Sequence, residues 1–260
     1  MADGTVYERE FAELYDLFHA AKDYRAEAQF IRNVAGSERT LLDVACGTGS
    51  HAIQLSRLGF EVTGVDISAD MLKHARRKAR EARQRINFER QDLMTLKSSR
   101  EFDVVTCLFD SIGYLRTDAR IRTALRNMRR CLRTDGLLFL EAWHAPAMLG
   151  GFDPLRVRRV RGSGLEAVRI GETRLLPAKN AAEVNYEVFF RRGGNTWRRF
   201  TETHVNRFFT NEELAAHVRA AGFEIIRILG GFDDNSFPND DAWHLVLIAR
   251  NRRSARARRA

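Results

Sequence analysis

The chain has 260 residues, of which 44% are apolar and 30% are charged, a composition typical of a folded globular protein and unlike that of a disordered or repetitive chain. Its three cysteines, Cys46, Cys107 and Cys131, are odd in number and widely spaced, which argues against a disulfide framework or a cysteine-rich zinc site. The formal net charge is +9, but six arginines lie among the last eleven residues, so the rest of the chain is only mildly basic.

Helices and a parallel sheet are predicted for the first 143 residues. Residues 6–35 have the pattern of one or two helices, with a break near residues 19–23. From residue 40 onward, β-branched and apolar runs alternate with segments of helical period, which is typical of β-α-β units. The predicted strands cover residues 40–46, 61–67, 86–90, 102–109 and 136–143, and the predicted helices cover residues 68–82 and 117–132.

The character of the sequence changes between residues 150 and 209. Polar and apolar residues alternate there around turn signals such as Gly-Ser-Gly and Gly-Gly-Asn, which predicts an antiparallel meander. A helix over residues 210–222, whose capping box is formed by Thr210 and Glu213, then restores the α/β pattern. Two strands are predicted after it, over residues 223–229 and 242–250. Because no Pro-rich linker interrupts the chain, the meander is predicted to be an insertion in one core domain.

The predicted organisation has a helical cap, a core, an insertion and a tail. The boundaries are 1–35 for the cap, 36–149 and 210–250 for the core, 150–209 for the insertion and 251–260 for a basic disordered tail. No uncharged apolar run approaches the roughly 18 residues that a membrane span requires. We therefore expect a cytoplasmic protein that does not associate with membranes.

A glycine-rich turn follows the first predicted strand. Gly47 and Gly49 allow the backbone to approach a ligand closely, and a helix begins directly after them. With Ala52, these glycines also fit the dinucleotide-binding pattern, so the turn alone does not identify the ligand. Asp43 is more discriminating, because a carboxylate four residues before the first glycine suits a cationic ligand better than a pyrophosphate.

Two further carboxylates come at the ends of the next predicted strands. Asp66 lies 19 residues beyond Gly47, where a carboxylate can accept hydrogen bonds from both ribose hydroxyls of an adenosine. Asp92 follows the third strand and is positioned to accept a hydrogen bond from the adenine amino group. Since the carboxyl ends of parallel strands lie at one edge of the sheet, the three acids are expected to share one ligand.

The same segments resemble the class I S-adenosylmethionine-dependent methyltransferases. LLDVACGTGSHAIQLSRLGFEVTGVDISADMLKHAR is similar to their first two cofactor motifs, INFERQD to the third, and FDVVTCLFDSIGYL and LRTDGLLFLEAW to the fourth and fifth. The resemblance implies an α/β fold, a doubly wound seven-stranded mostly parallel sheet with an antiparallel β insertion, and S-adenosyl-L-methionine as cofactor. It implies cofactor contacts from Tyr15, Tyr24, Asp43, Ala45, Gly47, Gly49, Asp66, Ile67, Met71, Gln91, Asp92, Leu93 and Phe109.

Three stretches narrow the likeness to the aminosugar N,N-dimethyltransferases of the desosamine and mycaminose type. They are YDLFHAAKDYRAEA, TCLFDSIGYL and THVNRFFTNEEL. This resemblance implies N-methylation of a small-molecule acceptor such as a nucleotide-linked aminosugar, with residues 150–209 as a substrate cover and a possible homodimer. EAWHAP departs from the more aromatic run of that subgroup, and the segment between Tyr15 and Tyr24 is shorter, so small-molecule O- or carboxyl methylation remains an alternative.

Methyl transfer depends mainly on placing the acceptor in line with the reacting methyl group, and a general base helps only where the acceptor must lose a proton. The candidate catalytic residues are Tyr114, His204, His144 and His19, and no metal is expected. Tyr114 and His204 both lie in segments that match the family. Glu141 is a further candidate, for holding a substrate ammonium group.

The sequence argues against three other functions. A nicotinamide-dependent oxidoreductase would explain the glycines and Asp66, but not Asp43 or Asp92, and the chain lacks a Tyr-x-x-x-Lys pair. A nucleic-acid methyltransferase would explain the basic charge, but the chain lacks an Asn/Asp-Pro-Pro-aromatic motif, and Cys107 lies within a strand. A binding protein without activity would not need intact cofactor motifs. No nucleic-acid partner is therefore expected.

Overall fold

The computed structural model describes residues 9–151, 153–162 and 164–252. The helices are α1 (Arg9–Phe18), α2 (Tyr24–Ala35), α3 (Ser50–Arg57), α4 (Ala69–Glu81), α5 (Asp118–Cys131), α6 (Ala145–Leu149) and α7 (Asn211–Ala220). The strands are β1 (Thr40–Val44), β2 (Glu61–Asp66), β3 (Asn87–Arg90), β4 (Phe102–Cys107), β5 (Leu132–Trp143), β6 (Leu155–Gly162), β7 (Leu165–Leu176), β8 (Ala181–Arg192), β9 (Arg198–Arg207), β10 (Phe223–Leu229) and β11 (His244–Asn251). Short 3₁₀ helices cover Ser111–Leu115 and Pro177–Lys179.

Seven strands form the central sheet, in the order β3-β2-β1-β4-β5-β11-β10. Only β11 runs antiparallel to its neighbours, β5 and β10. Strand order reverses between β1 and β4, so the carboxyl ends of these two strands form the crevice in which open α/β sheets bind their ligands. The predicted doubly wound, mostly parallel sheet is confirmed.

Apolar side chains point alternately to the two faces along the buried strands, which explains why helices cover both faces of this sheet. Leu42 and Val105 belong to one apolar cluster, which contains side chains of α5 and α7, whereas Leu41 and Val104 belong to another, which contains side chains of α2, α3 and α4. Successive residues of a strand point to opposite faces, so each strand supplies both layers. The two layers fix the strand ends on which the site is built.

Strands β6, β7, β8 and β9 form a second, antiparallel sheet in that order. Helix α1 packs on it, because Leu14 and Phe18 share a buried cluster with Ala167, Val188 and Phe190. The insertion predicted from the sequence is therefore a separate antiparallel sheet, and the N-terminal helix is part of its apolar core.

Several boundaries differ from the sequence-based ones for a local reason. Strand β1 ends at Val44 because Ala45 has φ of +55°, and β4 ends before Phe109 and Asp110, whose φ values are +53° and +61°. These left-handed conformations turn the backbone out of the sheet at the strand ends, and such strained residues cluster at functional sites. At the other end of the chain, β11 continues to Asn251. The predicted tail covers residues 251–260, of which residues 253–260 lie outside the described residues.

Among the described residues, no helix has the length and apolar character that crossing a membrane requires.

Candidate active site

The glycine turn between β1 and α3 has two glycines with different tasks. Both have positive φ, +55° at Gly47 and +76° at Gly49. A Cβ atom at Gly49 would lie 3.1 Å from the Cβ of Ala75 and 3.1 Å from a ring carbon of Phe88, so Gly49 lets the turn pack against its neighbours. A Cβ atom at Gly47 would meet no atom within 4 Å. The turn therefore leaves open space beside Gly47, where a ligand can approach the backbone.

Asp43 lies beneath this turn and is almost fully buried. One carboxylate oxygen accepts a hydrogen bond of 2.8 Å from the Thr106 hydroxyl group. The other oxygen, Oδ2, is buried and has no hydrogen-bond partner among the described residues. Burial raises the pKa of Asp43 to about 6. A buried carboxylate oxygen without a donor is costly, and a cationic ligand would supply the missing partner.

Asp66, at the end of β2, fixes the glycine turn. Its two carboxylate oxygens accept hydrogen bonds of 2.8 Å from the backbone N–H groups of Gly47 and Ser68. Burial raises the pKa of Asp66 in spite of these bonds. Each carboxylate oxygen retains a second lone pair, so the predicted ribose contact is compatible with the bonds to the backbone. Asp66 thus shapes the turn as well as being available to a ligand.

The predicted adenine-binding segment follows β3. The Asp92 carboxylate accepts a hydrogen bond of 2.9 Å from the backbone N–H of Met94, which closes a tight turn. Leu93 is half-buried, whereas 41% of the surface of Ile67 is exposed. The exposed Ile67 side chain at the end of β2 offers an apolar contact for a flat ring.

Other predicted cofactor residues have structural partners. The Gln91 side chain accepts a hydrogen bond of 3.2 Å from the backbone N–H of Lys97. Met71 is buried in the core, and its backbone N–H donates to the hydroxyl group of Ser68, the N-cap of α4. These contacts make Met71 part of the support beneath the site rather than part of its surface.

The end of α1 covers the turn after β4. The rings of Tyr15 and His19 lie 4.3 Å apart, and the His19 ring lies 5.2 Å from that of Phe109. Nδ1 of His19 is 2.8 Å from the backbone carbonyl oxygen of Tyr15. Burial lowers the pKa of His19 to about 4, so the ring is neutral at physiological pH. Tyr15, His19 and Phe109, which were predicted separately, are thus brought into one aromatic cluster.

A group of charged residues that the sequence analysis missed lies beside this cluster. Glu27 accepts hydrogen bonds from Lys22 at 2.5 Å and pairs with Nε2 of His51 at 2.6 Å. Burial opposes ionisation of Glu27, but His51 and Lys22 together hold its pKa below its usual value. The Lys22 ammonium group lies 4.6 Å from the ring centre of Phe109, and the Tyr24 ring lies 4.8 Å from that of His51. Tyr24, a predicted cofactor residue, therefore lies beside this charged group.

Asp16 of α1 contacts the glycine turn directly, and it too was missed. Its carboxylate accepts hydrogen bonds of 2.6 Å from the Thr48 hydroxyl group and 2.6 Å from the Lys78 ammonium group. Lys78 also donates to the hydroxyl group of Ser50 at 2.7 Å. These bonds hold α1 over the turn and close one side of the site.

A buried acidic pair lies where β4 and β5 end and β11 begins. The backbone N–H of Phe109 donates to Glu141 at 2.6 Å, and Nδ1 of His244 lies 3.1 Å from Asp110 and 3.4 Å from Glu141. Burial lowers the pKa of His244, but the charges of Asp110 and Glu141 outweigh that effect and raise the pKa to about 9. Glu141, which was considered for binding a substrate ammonium group, is thus already paired with a cationic histidine.

Two predicted catalytic residues contact each other, although 90 positions separate them. The Tyr114 hydroxyl group lies 2.8 Å from Nδ1 of His204. Nε2 of the same ring lies 2.8 Å from Glu202, which was not predicted. His204 is only 2% exposed and is enclosed by the rings of Phe11 and Tyr186. The three side chains form one continuous chain of hydrogen bonds.

His144 differs from the other catalytic candidates. It is 2% exposed, precedes the first residue of α6, and its Nδ1 lies 3.0 Å from the backbone carbonyl oxygen of Ala242. Its backbone N–H donates to the carbonyl oxygen of Trp243. These contacts join the end of β5 to the start of β11, so they favour a structural role for His144 over the catalytic role predicted from the sequence.

A cavity of about 660 Å³ lies between the end of the central sheet and the second sheet. Its walls include three arginines and three large aromatic residues, Arg156, Arg158, Arg169, Trp143, Tyr186 and Trp243. Arg156 stacks over the ring of Trp243 at 4.9 Å, and Arg169 over that of Tyr186 at 4.7 Å. His244 also lines the cavity, which therefore adjoins the acidic pair at the ends of β4 and β5.

The chain matches known proteins over the same residues that build this site. Residues 41–136 match a family model described as a methyltransferase domain. A dTDP-3-amino-3,4,6-trideoxy-alpha-D-glucopyranose N,N-dimethyltransferase of Streptomyces venezuelae is 30% identical over 233 residues, which are 87% of this chain and 95% of that protein. A dTDP-3-amino-3,6-dideoxy-alpha-D-glucopyranose N,N-dimethyltransferase of Streptomyces fradiae is 33% identical over 233 residues, 86% of this chain and 88% of that protein.

The chain belongs to the S-adenosylmethionine-dependent methyltransferases. Among solved structures, it is similar to S-adenosylmethionine-bound CalS10, an amino pentose methyltransferase from Micromonospora echinaspora, with 25% identity and a TM-score of 0.71 over 95% of this chain and 99% of that one. The predictions of family, fold, enzyme class and methyl donor are confirmed. The protein is a small-molecule methyltransferase, and the nicotinamide oxidoreductase alternative is wrong.

The residues of this methyltransferase fit S-adenosylmethionine. The carboxylate oxygen of Asp43 that has no donor suits a cationic group, the open space at Gly47 admits a ligand, and Ile67 offers an exposed apolar surface. When bound, the cofactor supplies a methyl group on a positively charged sulfur. The protein must therefore bind it, orient the acceptor and exclude water, which is mainly a task of positioning.

Proposed function

We propose that this methyltransferase N-methylates the amino group of a nucleotide-linked aminosugar. The cavity between the two sheets is the main support for this proposal, because its walls combine arginine side chains with large aromatic rings. The two curated relatives above are named for dTDP-linked amino sugars. Small-molecule pockets commonly enclose about 300–1,000 Å³, and this cavity is within that range.

The chemistry of the cavity walls suits each part of such a substrate. Arginine guanidinium groups bind phosphate oxygens through paired hydrogen bonds, so Arg156, Arg158 and Arg169 suit a diphosphate. Trp143 and Trp243 present faces on which a nucleobase can stack. The sugar would then extend toward the acidic pair and the end of β4, where the predicted cofactor site begins.

We assign the cofactor to the residues at the ends of β1, β2 and β3. Asp43 would meet the positively charged end of S-adenosylmethionine, the backbone at Gly47 would pass beside it, and Asp66 and Asp92 would bind the adenosine. Tyr15 and Phe109 would cover the reacting groups and exclude water, since they form one aromatic cluster above the turn. The homodimer and the cytoplasmic location stay predictions.

A panel of acceptors tests the proposal. The purified protein would be incubated with S-adenosylmethionine and, separately, a dTDP-linked aminosugar, the matching sugar without the nucleotide, a hydroxyl acceptor and a carboxylic acid. We expect added methyl groups on the nitrogen of the nucleotide-linked amine, measured by mass spectrometry. Methylation of the hydroxyl or carboxyl acceptor with no reaction of the amines would overturn the proposal.

Neighbouring arginines on β6 provide a matched pair of variants. Both side chains are exposed, but Arg158 lines the cavity and Arg159 does not. Losing one charge-assisted contact to phosphate weakens binding by about 1.5–3 kcal/mol, which is roughly tenfold or more. We therefore expect Arg158→Gln to raise KM for the nucleotide sugar by that factor without changing the Kd of S-adenosylmethionine. Arg159→Gln should leave both constants unchanged; equal effects of the two variants would contradict the assignment.

A further inference from the structure

His244 joins the buried acidic pair to the wall of the cavity. It is the first residue of β11 and lies directly opposite Trp143 of β5 in the antiparallel register. Glu141 lies two positions before Trp143, so its side chain shares a face of the sheet with that of His244. The strands therefore hold the imidazole ring between the buried carboxylates and the cavity, which both His244 and Trp143 line.

The two ring nitrogens of His244 have different surroundings. Nδ1 lies 3.1 Å from Oδ1 of Asp110 and 3.4 Å from Oε1 of Glu141, and both of these acidic side chains are buried. Nε2 has no hydrogen-bond partner among the described residues, and the His244 side chain is 35% exposed. Nε2 is therefore the ring nitrogen that is available to a molecule in the cavity.

The charges around His244 set its protonation state. The charged groups near the ring are Asp110 in the turn after β4, Glu141 of β5 and Lys22 between α1 and α2. Burial lowers the pKa of His244 and Lys22 acts in the same direction, but Asp110 and Glu141 outweigh both and raise the pKa to about 9. At neutral pH the ring is therefore a cation, in which Nδ1 donates to the acids and Nε2 carries a proton that it can donate into the cavity.

The cavity wall differs in charge between its arginines and His244. The other charged side chains that line the cavity are Asp153, Arg156, Arg158 and Arg169. Behind His244, two carboxylates face one imidazolium ion, so a phosphate group at Nε2 would be repelled by the net negative charge. A hydroxyl group has lone pairs and no charge, so it accepts a hydrogen bond from Nε2 without that repulsion. The diphosphate therefore suits the arginine side of the cavity, and a sugar hydroxyl group suits the His244 side.

We propose that His244 is a specificity-determining residue that donates a hydrogen bond from Nε2 to the hydroxyl group on carbon 4 of a 3-aminosugar, an inference that rests on the proposed N-methylation of a nucleotide-linked aminosugar. Carbon 3 of such a sugar bears the amine, which must face the cofactor, and its neighbours are carbons 2 and 4. Carbon 2 adjoins the carbon that bears the diphosphate, whereas carbon 4 lies on the other side of the amine. Since the diphosphate is assigned to the arginines, the hydroxyl group on carbon 4 is the one that His244 would meet.

His244 would thereby distinguish two classes of acceptor. A dTDP-3-amino-3,6-dideoxy sugar has a hydroxyl group on carbon 4, and the 3,4,6-trideoxy sugar lacks it. A site that hydrogen-bonds a hydroxyl group discriminates against the analogue without it, because the donor of the site is then left unpaired. The 4-hydroxy sugar is therefore expected to bind more tightly than the 4-deoxy sugar.

Calorimetry with these two nucleotide sugars tests the inference, with the demethylated cofactor present so that no methyl group is transferred. At pH 7, we expect the wild type to bind the 4-hydroxy sugar about tenfold or more tightly than the 4-deoxy sugar. His244→Leu should remove this preference by weakening the binding of the 4-hydroxy sugar alone. His244→Gln, whose amide still donates, should retain a preference of about threefold or more. The matched control is His74→Leu, because His74 lies on α4, pairs with Arg77 and does not line the cavity; it should bind both sugars as the wild type does.

Nitrogen-15 NMR of the histidines gives a second measurement that needs no variant. At pH 7, both nitrogens of His244 should be protonated, and the 4-hydroxy sugar should shift the Nε2 signal more than the 4-deoxy sugar does. A neutral His244 ring at pH 7, equal binding of the two sugars to the wild type, or an unchanged preference in His244→Leu would overturn this role of His244 while leaving N-methylation intact. If the wild type bound neither sugar, the proposed function would fail together with it.

Discussion

The charge on the buried Asp43 side chain opposes folding in the absence of a ligand. The side chain is 2% exposed, it has a single hydroxyl donor, and its second oxygen has no partner among the described residues. Burial raises its pKa to about 6 from an ordinary value near 3.8. A raised pKa on an acid means that the folded state holds the proton more tightly than the unfolded state does.

Protonated Asp43 therefore favours the folded state, and this stabilisation is fully present only at pH values below the pKa of Asp43 in the unfolded chain. It is lost as the pH rises through about 6. We predict that Asp43→Asn stabilises the ligand-free protein by about 3 kcal/mol at pH 7.5 and by about half as much at pH 5. The same variant should bind S-adenosylmethionine much more weakly. Urea unfolding at the two pH values, with calorimetry for the cofactor, measures both effects.

Asp103 provides a control, because its pKa is shifted in the direction opposite to that of Asp43. Its carboxylate accepts hydrogen bonds from the backbone N–H groups of Arg39 and Thr40, which with Arg133 hold its pKa below the usual value despite burial. Asp103→Asn should therefore destabilise the protein at pH 7.5 and leave cofactor binding unchanged. A loss of stability in Asp43→Asn would show that its charge is already compensated in the free protein.

The glycine turn is the element on which the cofactor site depends. It joins β1 to α3, and both of its glycines need a left-handed backbone. Alanine at either position costs about 1–2 kcal/mol of strain, but only at Gly49 would the new Cβ also press on Ala75 and Phe88. The two positions therefore separate a packing role from a ligand-binding role.

We predict different outcomes for alanine at the two glycines. Gly49→Ala should lose a further 1–3 kcal/mol of folding free energy because it overpacks the contact with α4 and β3. Gly47→Ala should lose only the strain energy, yet weaken S-adenosylmethionine binding by about tenfold, because its methyl group would project into the space kept for the ligand. Thermal unfolding and calorimetry measure the two quantities. Wild-type affinity in Gly47→Ala would place the cofactor elsewhere.

The helices and strands were largely predictable from the sequence. Apolar alternation and helical period predict the strands and helices, and all seven strands of the central sheet follow from them. The strand ends did not follow, because Ala45 and Phe109 adopt left-handed conformations that their residue types do not favour. The surrounding fold imposes such conformations, so they cannot be predicted from the local sequence pattern.

The cofactor residues were predictable because they lie on one motif, whereas the catalytic contacts were not. Tyr114 and His204 are 90 positions apart, and His244 and Asp110 are 134 apart. Only the folded chain brings such pairs together. Glu202 could have been predicted, because it lies two positions before His204 on a predicted strand and must share a face with it.

For the whole molecule, helix α1 links the second sheet to the core domain. Helix α1 pairs with the second sheet through Glu10 and Arg198 at 2.6 Å, and with the core through Asp16 and Lys78 at 2.6 Å. It therefore joins the proposed substrate cover to the glycine turn. The cavity lies between the bodies that this helix connects, so its shape depends on both.

The last strand completes the central sheet and limits how far the chain can be shortened. Asn251 is 5% exposed, and its amide donates to the backbone carbonyl oxygens of Leu132 at 2.8 Å and Arg133 at 3.0 Å. The carbonyl oxygen of Arg252 accepts a hydrogen bond of 2.7 Å from Arg129. The basic tail predicted to start at residue 251 therefore begins with two residues that hold β11 to the end of α5 and the start of β5.

Two truncations separate this structural role from the charge of the tail. Removing residues 253–260 deletes four arginines but none of these contacts, so stability and methylation of a small acceptor should be unchanged. Removing residues 251–260 leaves the buried carbonyl groups without their donor and should cost about 1–3 kcal/mol, measured by urea unfolding. If the shorter deletion lowered methylation of the small acceptor, the arginines would have a role in the reaction. If it affected only binding to RNA, the excess positive charge would mark a second partner.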